Sequence, residues 1–141
     1  MRAHHGFAGK YDFSSPLYLA GRIVHAYIGY PHARLTLDVP ADLRMPRDLE
    51  WVRALEDAEA RQMTSLLRAA DRRGVVDVSL DRRLTRRLMD EPELIVAGDA
   101  VEAVVYRRVT GDEYRHELHA VLLSLSDDRL LVSSTPAVKS R

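Results

Sequence analysis

Apolar and polar residues alternate with a period of two over most of this chain, and the rhythm changes once. Over residues 17–28, Leu17, Leu19, Gly21, Ile23 and His25 alternate with Tyr18, Ala20, Arg22, Val24 and Ala26, predicting a long strand with apolar groups on both faces. Gly21 in its middle predicts a bend or bulge. Gly29-Tyr30-Pro31 supplies a turn. Ala33, Leu35, Leu37 and Val39 then alternate with His32, Arg34, Thr36 and Asp38, predicting a second strand, one face buried and one wet, that forms a hairpin with the first. Over residues 47–73 the apolar positions Leu49, Val52, Leu55, Met63, Leu66, Leu67 and Ala70 recur at three- and four-residue intervals among charges, which predicts one amphipathic helix ending before Gly74. Alternation returns at 75–80, residues 85–89 predict a short helical turn, and Gly98-Asp99 announces a strand over 100–107. Turns at Thr110-Gly111-Asp112 and Asp127-Asp128 frame strands over 114–125 and 130–133.

Five or six strands with one inserted helix predict a mostly β fold, a small Greek-key barrel of which the OB fold is the commonest small example. The domain runs from 17 to 134 with its helical insertion at about 47–73; residues 1–16 form an amino-terminal arm and 135–141 a frayed tail. A chain of 141 residues, 46% hydrophobic, suffices for one core.

Charge narrows the functional classes. Lysine plus arginine and aspartate plus glutamate balance at 21 each, giving the whole chain no electrostatic reason to seek nucleic acid. The basic clusters Arg72-Arg73, Arg82-Arg83 and Arg86-Arg87 could form a local patch, but Asp71, Asp77, Asp81 and Asp90 are interleaved with them and only Tyr106 and Tyr114 lie near as stacking platforms. Lys10 and Lys139 are the only lysines, an arginine bias expected of a GC-rich bacterial genome. Without cysteine there is no disulfide framework, thiolate metal site or cysteine nucleophile. No apolar run approaches the roughly 20 residues of a membrane span. Neither a nucleophile elbow nor a Gly-rich phosphate loop occurs, and Glu91, Glu93, Asp127 and Asp128 read as turn carboxylates.

Several short motifs fall in a telling order: Ala3-His4-His5-Gly6-Phe7, Gly21-Arg22-Ile23-Val24, Tyr30-Pro31-His32, and Gly98-Asp99 before an alternating strand. In this the chain resembles a family of small exported bacterial proteins, without an established activity, that open after signal cleavage on Ala-His-His-Ser-Phe and continue with Gly-Thr-Val, Asn-Pro-His and Gly-Asp. Gly6 stands here for the serine and Tyr30 for the asparagine. The resemblance implies an OB-like domain exported to the periplasm, with Met1 outside the mature protein.

Histidine is the residue type best suited to chemistry here, at His4, His5, His25, His32, His116 and His119. An all-nitrogen set without thiolate suits Cu(II) or Zn(II). If cleavage leaves His4 first, its amine and imidazole could join His32 on one Cu(II). If Ala3 is first, the amine, two amides and His5 could form a square-planar Cu(II) or Ni(II) site. His116 and His119, on opposite faces of a strand, would not share a metal, and His25 reads as a hydrogen-bonded core residue. Trp51, off the main stripe of the predicted helix, is either a partner-binding anchor or part of the core, and a homodimer through that helix is conceivable. The expectation is a non-enzymatic binding protein holding copper or a similar divalent metal at His4, His5 and His32. The alternative is a metal-free module that binds a partner protein or small ligand in the barrel groove.

Overall fold

In the computed structural model, which describes residues 11–109 and 117–133, the first strand explains how the sheet closes. Within the closed ring, strand β1 (Leu17–Tyr27) pairs with two different strands along its length. Leu17 to Arg22 pair antiparallel with β5 (Ala100–Arg107), and Arg22 to Tyr27 pair antiparallel with β2 (Arg34–Val39), with a bulge between Ile23 and His25. The hand-over falls beside Gly21, as the glycine predicts. A Cβ there would lie 2.6 Å from the Asp38 carbonyl oxygen and 3.3 Å from the Val39 Cα, both backbone atoms of the paired strand. We expect Gly21→Ala to force β1 and β2 apart at a cost of about 1–3 kcal/mol, read as a lowered urea-unfolding midpoint with an unchanged slope.

From β2 the sheet continues antiparallel to β4 (Gly74–Leu80), then parallel to β6 (Leu118–Leu125), then antiparallel to β5 and so back to β1. These five strands form a closed barrel in the order β1-β2-β4-β6-β5, with one parallel pair between β4 and β6. That connectivity is the OB topology. Strands β3 (Arg68–Ala69) and β7 (Leu130–Val132) lie outside the closed ring, β3 parallel to the start of β1 and β7 antiparallel to the second half of β6. The inward positions are filled by fully buried side chains, among them Leu19, Leu35, Leu37, Leu80 and Leu123, so the barrel holds a packed core rather than a lumen.

The segment predicted as one helix over 47–73 is instead a 3₁₀ turn (Glu50–Ala54), a helix α1 (Ala58–Thr64) and β3. The break has a local cause. Leu55 is extended, with φ −77° and ψ 120°, and Asp57 starts a new helix by accepting the Glu59 N–H on its side chain. Of the apolar stripe, Leu55, Met63, Leu67 and Ala70 still turn inward and are buried, as are Trp51 and Ala60 beside it, Leu49 and Val52 are half-buried, and Leu66 is exposed. The insertion is locked at its end by Arg73, whose guanidinium donates to the carbonyls of Ala41, Leu43, Ala70 and Arg72.

Between β4 and β5 runs α2 (Arg82–Asp90), longer than the turn predicted at 85–89. Its buried Leu84, Thr85 and Leu88 face the barrel. Thr85 fastens it there, accepting the Ala33 N–H at 2.9 Å and donating to the Leu80 carbonyl. A 3₁₀ turn (Pro92–Leu94) leads on to Gly98, whose φ of +94° favours glycine.

Candidate functional site

One end of the barrel gathers the polar residues that are buried. The arm reaches it at Tyr11, which bridges to Arg108 just beyond β5, while the Asp12 N–H donates to the Arg107 carbonyl at 2.9 Å. The Tyr11 ring stacks on His119 at 4.4 Å between centroids, and the Arg108 guanidinium lies 5.8 Å over the same ring. Phe13 follows the arm in and meets Tyr106 edge-on. Across His119 sits His32, from the β1–β2 connection, edge-on at 6.0 Å. Glu117 accepts from both Arg34 and Arg108 at 3.3 Å, tying the start of β2 to the ends of β5 and β6.

Chemistry at this end is set by burial. His119 is 1% exposed, and desolvation first, then the charges of His32 and Arg108, push its pKa down to about 3. It is therefore neutral across the physiological range. Its Nδ1 lies 3.0 Å from the Ser79 hydroxyl, which is also 3.4 Å from the Leu118 carbonyl. Although a serine beside an imidazole is the beginning of a nucleophile–base pair, Ser79 is only 3% exposed, so neither group is presented to a substrate. Burial raises the Tyr11 phenol, helped by the Glu117 charge and opposed by hydrogen bonds to Ser79 and Arg108.

His32 is different. It is half-buried, and its Nδ1 lies 3.1 Å from the Leu80 carbonyl oxygen, which can only accept. Nδ1 therefore carries a hydrogen, and in the neutral ring this is the tautomer in which a backbone carbonyl orients an imidazole for metal binding through Nε2.

Of the residues singled out from the sequence, His32 and His119 come together here. His4, His5, His116 and Tyr114 lie outside the described residues. Among those described, no three histidine, aspartate or glutamate side chains converge as a metal-binding group. His25 is exposed beyond the bulge of β1, not in the core as its apolar strand predicts, because the bulge ends the buried alternation after Ile23. Trp51 is 8% exposed and belongs to the core, so it is no surface anchor for a partner; its Nε1 is the one buried side-chain nitrogen or oxygen without a hydrogen-bond partner among the described residues. Tyr11 was hidden in a stretch without periodicity, and its place is legible only once the arm is seen to pair with β5. No helix is long and apolar enough to cross a membrane among the described residues. Comparison with family models, with curated proteins and with solved structures gave no match.

Proposed function

We propose that this chain is a non-enzymatic binding protein that takes a divalent metal of the copper type at the end of the barrel where the arm docks. The observation that carries this reading is the orientation of His32, whose Nδ1–H is held by the Leu80 carbonyl, the arrangement that leaves Nε2 as the ligand atom of the neutral ring. The remaining ligands would come from His4 and His5. Tyr11 is anchored on His119, one ring away from His32, and the six Cα–Cα steps from His5 to Tyr11 can span at most about 20 Å. With His32, His4 and His5 would make a nitrogen-rich set, which suits Cu(II) above Mg(II) or Ca(II). Export to the periplasm, implied by the Ala-His-His start, belongs to the same reading, because proteolytic exposure of the amine at Ala3 or His4 would add a further nitrogen ligand. The enclosed His119, neutral near pH 7, serves this site as a packing platform for Tyr11 and not as an acid or base.

The test is a Cu(II) titration of three forms beginning at Met1, Ala3 and His4. One-to-one binding that is tightest in a processed form and weakened at least about tenfold, or 1.4 kcal/mol, by His32→Ala is the expected result. Binding abolished by His5→Ala yet indifferent to His32→Ala would place the metal on the arm alone and overturn the part given to the barrel.

A further inference from the structure

On the side of the molecule formed by α2 and β7 lies a groove of about 770 Å³ lined by Arg82, Arg83, Arg86 and Arg87 of the helix and by Leu130, Leu131 and Val132 of the strand. All four arginines are exposed. Arg87 is held by Glu91 at 2.7 Å, whereas Arg82, Arg83 and Arg86 make no ion pair among the described residues, and Asp90 is the one acidic residue in the lining. The cationic wall stands beside an unpaired sheet edge. The Leu125 N–H donates to the Arg129 carbonyl and the Ser133 N–H to the Val121 carbonyl, and Leu131 lies opposite Leu123, so residues 129, 131 and 133 turn their peptide groups toward β6. The N–H and C=O of Leu130 and Val132 therefore point the other way, and no strand among the described residues pairs with that edge.

We propose that this groove receives an extended acidic peptide segment of a partner protein, which adds as a strand along β7 and sets its carboxylates against Arg82, Arg83 and Arg86. Backbone pairing supplies affinity in such a mode, and the arginines, which can each grip a carboxylate through two parallel hydrogen bonds, supply the choice of partner. Charge argues against the other occupants. A second copy pairing edge to edge would bring two arginine clusters together, and the chain's own last residues carry Lys139 and Arg141 with no acidic side chain after Asp128. A nucleic-acid strand would find no aromatic residue in the lining on which to stack its bases. The lining includes none of Tyr11, His32 and His119, so the proposal does not rest on metal binding at the His32 end.

The probe is a short synthetic peptide alternating glutamate with valine, labelled with fluorescein and titrated against the full chain beside its lysine–valine counterpart and a single-stranded oligothymidylate. The expected result is salt-sensitive binding of the acidic peptide, slowed amide exchange at Leu130 and Val132, and a loss of about tenfold or more in the combined variant Arg82→Glu, Arg83→Glu, Arg86→Glu. Val132→Pro, which removes an outward N–H while leaving the bonds to β6 in place, is expected to weaken binding as well. Equal binding of both peptides, or an oligonucleotide that binds more tightly than the acidic peptide and leaves the two amides unprotected, would overturn the proposal.

Discussion

Acidification from about pH 6.5 to about pH 4.5 is expected to cost this fold about 2–3 kcal/mol through His119 alone. In the unfolded chain His119 takes up its proton near the ordinary value of 6.5, whereas in the folded chain it resists protonation until about pH 3. Between those values the unfolded state binds the extra proton. Stability is therefore complete above about pH 6.5 and falls as the pH falls through the window, the reverse of a histidine that gains a carboxylate partner. The causes are structural: enclosure beneath Tyr11, with His32 and Arg108 as the nearby positive or ionisable groups. Urea-unfolding midpoints measured across this range with a chelator present should slope steeply for the natural sequence and less steeply for His119→Gln, which keeps an amide for Ser79 but does not titrate. The variant is expected to start lower at neutral pH, since it loses the stacked ring, and to converge on the natural protein in acid. Parallel slopes would mean that His119 charges freely in the folded state and that the barrel end opens to water.

How much of this could be read from the sequence follows from what periodicity reports. Strands with one buried face, such as Ala33 to Val39, announced themselves because each Cβ alternates between core and solvent, and the barrel followed from their number and spacing. The hand-over in β1 was visible as Gly21, whose Cβ position is occupied by the backbone of β2. Periodicity failed where two short elements share one buried stripe. Leu55 and Met63 face the same core, so their spacing reads as one helix although Leu55 is extended and Asp57 starts the chain afresh; the aspartate before Ala58 was the available signal. The site was half legible. Histidine chemistry drew attention to His32, but its tautomer depends on the Leu80 carbonyl, 48 residues away, and no local pattern encodes that contact. Likewise the arginine pairs of α2 were read against their interleaved aspartates, yet Asp81 is buried as a helix cap and Asp77 bonds Thr36 across β2, which leaves the groove with a positive excess that linear charge counting conceals.

Asp81→Ala is expected to be the most damaging single substitution outside the apolar core, at about 2–4 kcal/mol, because three elements meet on this one residue. Asp81 is 3% exposed. Its Oδ1 accepts the Leu84 N–H at 3.0 Å and so caps α2, its Oδ2 accepts the Ser133 hydroxyl at the end of β7, and its own N–H donates to the Ala120 carbonyl of β6. Alanine keeps only the last of these, leaving the first turn of α2 without its acceptor and the buried Ser133 hydroxyl without the carboxylate. The milder change Asp81→Asn still offers an oxygen to Leu84, and the Ser133 hydroxyl can rotate to accept from the new amide, so the loss should shrink to about 1 kcal/mol. The two roles separate in a double-mutant cycle on urea-unfolding free energies. If the carboxylate joins α2 to β7, Asp81→Ala and Ser133→Ala together should cost less than the sum of the single losses by about 0.5–3 kcal/mol. Strict additivity would show that Asp81 acts on the helix alone and that β7 is held only by its ladder to β6. The coupled result carries further, because the same residue would then fix the distance between α2 and β7 and with it the width of the arginine-lined groove.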